Sequence, residues 1–125
     1  MVINSKKWLA IMGGLTVVVS VGCSSLKTPA TADVAVSKAA VENAAGAGGV
    51  EFAPVEMNSA REKMALANKA MAEKNYKLAR ELAVQAQADA KLAQGKANSA
   101  KAQMAADALQ EDIRVLRTEL DRANQ

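Results

Sequence analysis

Histidine is absent from the 125 residues, and cysteine occurs once, at Cys23. Without histidine no Ser-His-Asp or Cys-His relay can be assembled. Without a second cysteine neither a disulfide nor the usual zinc ligand set is available. Aromatic rings are scarce too: Trp8, Phe52 and Tyr76 make up 2% of the chain. Single-stranded nucleic acid would find too few rings to stack on, so that ligand class is excluded. Proline is limited to Pro29 and Pro54, which leaves little to interrupt a helix. Bulky apolar side chains are few, because alanine makes up roughly a quarter of the sequence and each alanine buries little area. A thick globular core is therefore out of reach. Long helices are not, since alanine is the best helix former and loses no side-chain entropy on burial. The carboxylates are scattered along helical stretches with no cleft to raise a pKa. No catalytic residue, cofactor site or metal ligand is assigned, and a non-enzyme is expected.

An excess of charge of either sign is also missing. The formal charge is +3 and the pI is near 9.1. Lys6 and Lys7 precede Cys23, and no acid does. Removing those two from the 16 bases leaves 14 against 13 acids, a charge of about +1. The basic pI thus belongs mostly to the N-terminal segment and is no argument for nucleic-acid binding.

That segment reads as targeting rather than fold. Lys6 and Lys7 supply a positive start, and Trp8 to Val21 runs without charge. Such a run falls short of the roughly 20 residues of a spanning helix. Ser20, Val21 and Gly22 then precede Cys23, and small residues there fit a peptidase cleft. The stretch Val21-Gly22-Cys23 resembles the lipobox of bacterial lipoproteins, although Ser20 stands where leucine is usual. The resemblance implies a signal peptide at 1–22, cleavage after Gly22 and a lipidated Cys23 carrying diacylglycerol and palmitate. By the same resemblance, Ser24 in place of aspartate implies sorting to the outer membrane.

Residues 23–30 are expected to be a tether and 31–53 a short helix followed by a glycine-rich loop. Thr31 would cap the helix at 31–45, and Gly46, Gly48 and Gly49 would end it. Residues 54–125 form the main domain of an all-α fold, an elongated antiparallel helical hairpin. Pro54 suits a first helical position. Met57, Ala60, Met64, Ala67 and Met71 alternate in steps of three and four as far as about Lys74. Asn75 tolerates a left-handed turn and can cap the next helix. That helix runs from Tyr76 to about Arg122, interrupted by Gly95, and would be roughly 70 Å long. Leu78, Leu82, Ala86, Ala90 and Ala93 are expected to face the methionine stripe. Ala102, Ala106, Leu109, Ile113, Leu116, Leu120 and Ala123 form a second stripe facing the other way. Leu109, Ile113, Leu116 and Leu120 fall at d, a, d and a heptad positions, a coiled-coil-like seam for self-association. Burial of this stripe within one chain, by the first helix or a bend at Gly95, is the alternative.

Met57, Met64 and Met71 lie about 10 Å apart along a helix, too far to share one metal ion, and read as core filling. Arg61, Lys63, Lys69, Lys74, Lys77, Arg80, Lys91, Lys96 and Lys101 outnumber the acids of their stretch. They read as a solvated face, with contact to lipid A or peptidoglycan as the alternative.

Asn75 to Arg80, with Ala83 and Ala86, resembles half of a tetratricopeptide repeat, but one unit makes no solenoid. Ala53-Pro54, Ala60-Arg61, Lys74-Asn75-Tyr76, Ala79, Leu82-Ala83, Ala86, Asp89-Ala90, Leu92-Ala93 and Leu116 to Leu120 form a wider pattern. Together they resemble a family of small alanine-rich bacterial lipoproteins with a helical-hairpin domain of unknown function. Some relatives continue into an OmpA-like wall-binding domain; no such domain is expected here, so wall binding does not carry over. The function expected is that of a non-enzymatic structural or adaptor lipoprotein, lipid-anchored in the outer membrane and facing the periplasm. Its partners would be the membrane, another envelope protein or copies of itself, with no nucleic acid. A non-covalent cell-wall spacer and a periplasmic chaperone or accessory subunit are the alternatives. Covalent wall attachment through a terminal lysine is not expected, as the sequence closes on Arg122-Ala123-Asn124-Gln125.

Overall fold

The computed structural model describes residues 26–125, and the signal segment, Gly22, Cys23 and Ser24 lie outside them. The described chain is helical throughout, with four elements: α1 Lys27–Gly46, α2 Gly49–Phe52, α3 Pro54–Ala72 and α4 Tyr76–Ala123. None is long and apolar enough to cross a membrane.

The first helix is longer than its sequence suggests. It begins at Lys27, not Thr31, so the expected tether at 23–30 is already helical over its second half. Pro29 permits this because the first turn has no intrahelical partner for its N–H groups. Thr31 is not the cap; its hydroxyl donates to the Lys27 carbonyl, 2.9 Å away. At the other end Gly46 stays helical, and Gly48 (φ 95°) makes the left-handed turn. Gly49 has a different task. A Cβ there would lie 2.7 Å from the Ala44 carbonyl oxygen and 3.0 Å from Met57 Sδ. Only glycine lets α2 come so close to the end of α1.

Pro54 opens α3 as expected, but the helix stops at Ala72, two residues before Lys74. Lys74 itself takes the left-handed conformation (φ 60°) expected of Asn75. Asn75 N–H then donates to the Ala70 carbonyl at 2.9 Å, the long closing bond of a Schellman turn. The Asn75 side chain caps α4 by accepting from Leu78 N–H at 3.3 Å.

Polar links give the helix directions. Asp33 pairs with Arg80, and Ser37 sits against Ala83, so α1 runs parallel to α4. Glu56 pairs with Lys96 and Lys63 with Asp89, so α3 runs antiparallel to both. The hairpin expected from sequence is present, and α1 packs on it to make a three-helix bundle. Leu26 and the turn at Lys74 share one end. The α1–α3 connection lies at the other, where the Lys101 ammonium stands 6.0 Å from the centre of the Phe52 ring.

The core is built almost wholly from alanine. Ala44, Ala53, Ala60, Ala90 and Ala93 surround Met57, with Ala40, Val41 and Ala45 against them. The buried line on α4 is Ala79, Ala83, Ala86, Ala90, Ala93 and Ala97. Here the expected stripe is shifted by one residue at its start: Leu78 is exposed and Leu82 half-buried, flanking Ala79 and Ala83. With α1 and α3 both seated on α4, the smallest side chains point inward and allow axes at the short end of the ~8–10 Å range. Met57 and Met64 are buried, whereas Met71 is only partly so and Ala70 takes the inner place.

Candidate interaction surface

Among the described residues three polar clamps hold the bundle, two between α3 and α4 and one between α1 and α4. Asp89 on α4 accepts from Ser59 Oγ at 2.7 Å and from Lys63 Nζ at 2.6 Å, both on α3. The Lys63 ammonium, helped by Ser59, holds the Asp89 carboxyl below its usual range against the opposing effect of burial. One step further along, Lys96 donates to Glu56, and this bond holds the Glu56 carboxyl low as well. Between α1 and α4, Arg80 Nε donates to Asp33 Oδ2 at 2.7 Å. Beside it the buried Ser37 hydroxyl lies 2.7 Å from the Asp33 carbonyl oxygen and 2.6 Å from that of Ala83. Its single proton goes to one or the other, and no buried side-chain polar atom among the described residues lacks a partner.

These clamps give several of the basic residues a structural task. Lys63, Arg80 and Lys96 are each spent on a neighbouring helix, and Lys69 stands 4.0 Å from Glu73 on its own. Periodicity could not have shown this, since a charge flanking an apolar stripe looks the same whether it meets a partner or water.

Beyond Lys101 the bundle ends and α4 continues alone. Every residue from Lys101 to Gln125 is exposed, so about six turns, roughly 33 Å, stand clear of the rest. Leu109, Ile113, Leu116 and Leu120 are 61%, 42%, 58% and 62% exposed. Neither α1 nor a bend at Gly95 covers them, since α1 lies on the first half of α4 and the helix passes unbroken through Gly95. On the outer face Arg114 holds Glu111 bidentately, at 2.9 and 2.6 Å. The guanidinium keeps the Glu111 carboxyl low, and the carboxylate in turn raises Arg114.

Concavities are shallow. One open groove at the Leu26 end is lined by Lys77, Arg80, Glu81, Val84 and Gln85, and another follows the outer α4 from Gln110 to Asp121. Among the described residues no three metal-binding side chains cluster. The surface best suited to function is therefore the projecting part of α4.

A family model described as a domain of unknown function, DUF4398, matches residues 32–109. The chain belongs to this family. The DUF4398 match takes in most of α1, all of α2 and α3, and α4 as far as Leu109, so it contains the packed bundle apart from the first turn of α1. Ile113, Leu116 and Leu120 fall beyond the matched DUF4398 residues. No curated protein and no solved structure matches the chain.

Proposed function

We propose that the protein is a non-enzymatic lipoprotein of the outer membrane, with a structural or adaptor role in the periplasm. The observation that carries this reading is Cys23, the chain's one thiol, directly after Ser20-Val21-Gly22 and an uncharged run. Diacylglyceryl transfer needs such a nucleophile, and acyl chains at ~0.8 kcal/mol per buried CH₂ make a stable anchor once two or more are present. The start of α1 at Lys27 fits an anchor close by, since Ser24, Ser25 and Leu26 alone separate it from Cys23, a span of at most about 10 Å. Anchored in this way, the bundle would sit near the bilayer with its Lys74 turn inward. The free end of α4, a helix of roughly 72 Å, would point away from the membrane. A long exposed helix face suits presentation to a protein, and the shallow grooves offer little to a small substrate.

Mass spectrometry of the mature N-terminus tests the anchor. An acylated peptide beginning at Cys23 is expected, and Cys23→Ala should abolish the modification. An unmodified N-terminus, at Cys23 or elsewhere, sinks the reading. Membrane fractionation tests the address, which rests on Ser24: recovery with the inner membrane defeats it.

A further inference from the structure

An isolated helix in water holds its turns poorly, because most helical stability in proteins comes from packing an apolar face. The last turns of α4 have such a face, and none of the other described residues covers it. Its large side chains follow a strict order, Leu109 at d, Ile113 at a, Leu116 at d and Leu120 at a, with Ala106 at a and Ala123 at d extending it. Asp112 and Glu119 then occupy g positions, and Gln110 and Arg117 occupy e. Among the described residues neither Asp112 nor Arg117 forms an ion pair. Glu111 and Arg114, on the outer face, pair with each other and do not compete for them.

We infer that the occupant is a second copy of this chain: Ala102 to Ala123 forms a parallel, in-register two-stranded coil with itself. Isoleucine at a and leucine at d favour two parallel strands. Charge selects the same direction. In a parallel pair Asp112 of each copy faces Arg117 of the other, twice by symmetry. An antiparallel pair sets g against g, which opposes acid to acid. The bundle stands aside, because every residue of α4 from Lys101 onward is exposed. The pairing rests on residues of α4 alone and does not require lipid on Cys23. Anchoring by the same end would raise the effective concentration further.

The test is disulfide trapping in the full chain, purified in detergent micelles and oxidised with copper phenanthroline. Leu116→Cys places thiols at facing d positions and should give a linked dimer well above the parent chain, whose Cys23 sets the background. Ala123→Cys, another d position, should do the same without removing a leucine. Arg114→Cys, on the outer face, should stay at background. Adding Asp112→Arg to Ala123→Cys should lower the dimer yield at limiting concentration by roughly fivefold, as two exposed pairs are lost. Restoring complementarity with Arg117→Asp should recover it. Dimer from both d-position thiols no higher than from Arg114→Cys overturns the pairing. A charge swap that fails to recover the yield overturns the parallel register.

Discussion

Asp89 shows how much of this bundle depends on single polar contacts. Its carboxylate joins Ser59 and Lys63 across α3 and α4, and that contact lowers its pKa in the folded state. A depressed carboxyl stabilises the fold at any pH above its unfolded value near 3.9. The contribution is lost as the pH falls through the still lower folded value. Asp89→Asn should therefore reduce stability at pH 7 by about 1 kcal/mol, and its melting temperature should fall less than the parent's between pH 6 and pH 2. Parallel acid melting curves for the two proteins would count against the clamp. None of this was legible in the sequence, where Asp89 is one scattered acid among many. The core positions were legible in part. Met57, Ala60, Met64 and Ala67 are buried where their spacing puts them, but Leu78 and Met71 give way to Ala79 and Ala70. Large apolar residues mark a stripe most visibly, whereas a bundle of close helices buries the small ones and leaves the large ones on the flanks.

Among the elements, the two helices of the hairpin were readable because Pro54, Asn75 and a sustained apolar period all agree. The first helix was underestimated. Its valines and Pro29 argue for weakness, while its stability comes from contacts with α4 such as Ser37 with Ala83, separated in sequence and invisible to local propensity. The turn shows the same limit: Asn75 caps α4, yet Lys74 takes the strained left-handed place. The long helix carries its own weak point in Gly95. That residue is exposed, and a Cβ added there meets nothing within 4 Å. Gly95→Ala should thus gain about 1 kcal/mol from helix propensity with no packing penalty. Thermal melting followed by circular dichroism checks it, and an unchanged or lower midpoint would mean that the glycine permits a bend the protein uses.

At the scale of the whole molecule, α4 divides into a packed half and a bare half. Ending the chain after Gln103 keeps Lys101 over Phe52 and removes only exposed turns. The shortened protein should melt within about 1 kcal/mol of the parent's stability, the range of surface changes, while its helical signal drops with the lost turns. A collapse of the bundle on shortening would show that the distal turns support it directly. That Leu109, Ile113, Leu116 and Leu120 share one helix face was legible, since heptad spacing needs no tertiary information; that the bundle leaves them exposed was not. One helix being shared by both halves makes the molecule a lever. A tilt of about 10° at Ala97, the last packed turn, would carry the far end of α4 sideways by about 7 Å. The fulcrum on α4 is a row of alanines, and Met57 is the long side chain packed against them. A lateral pull at the tip would arrive as torque on Ala90, Ala93 and Ala97, felt first where Lys101 meets Phe52 and then at the Glu56–Lys96 pair.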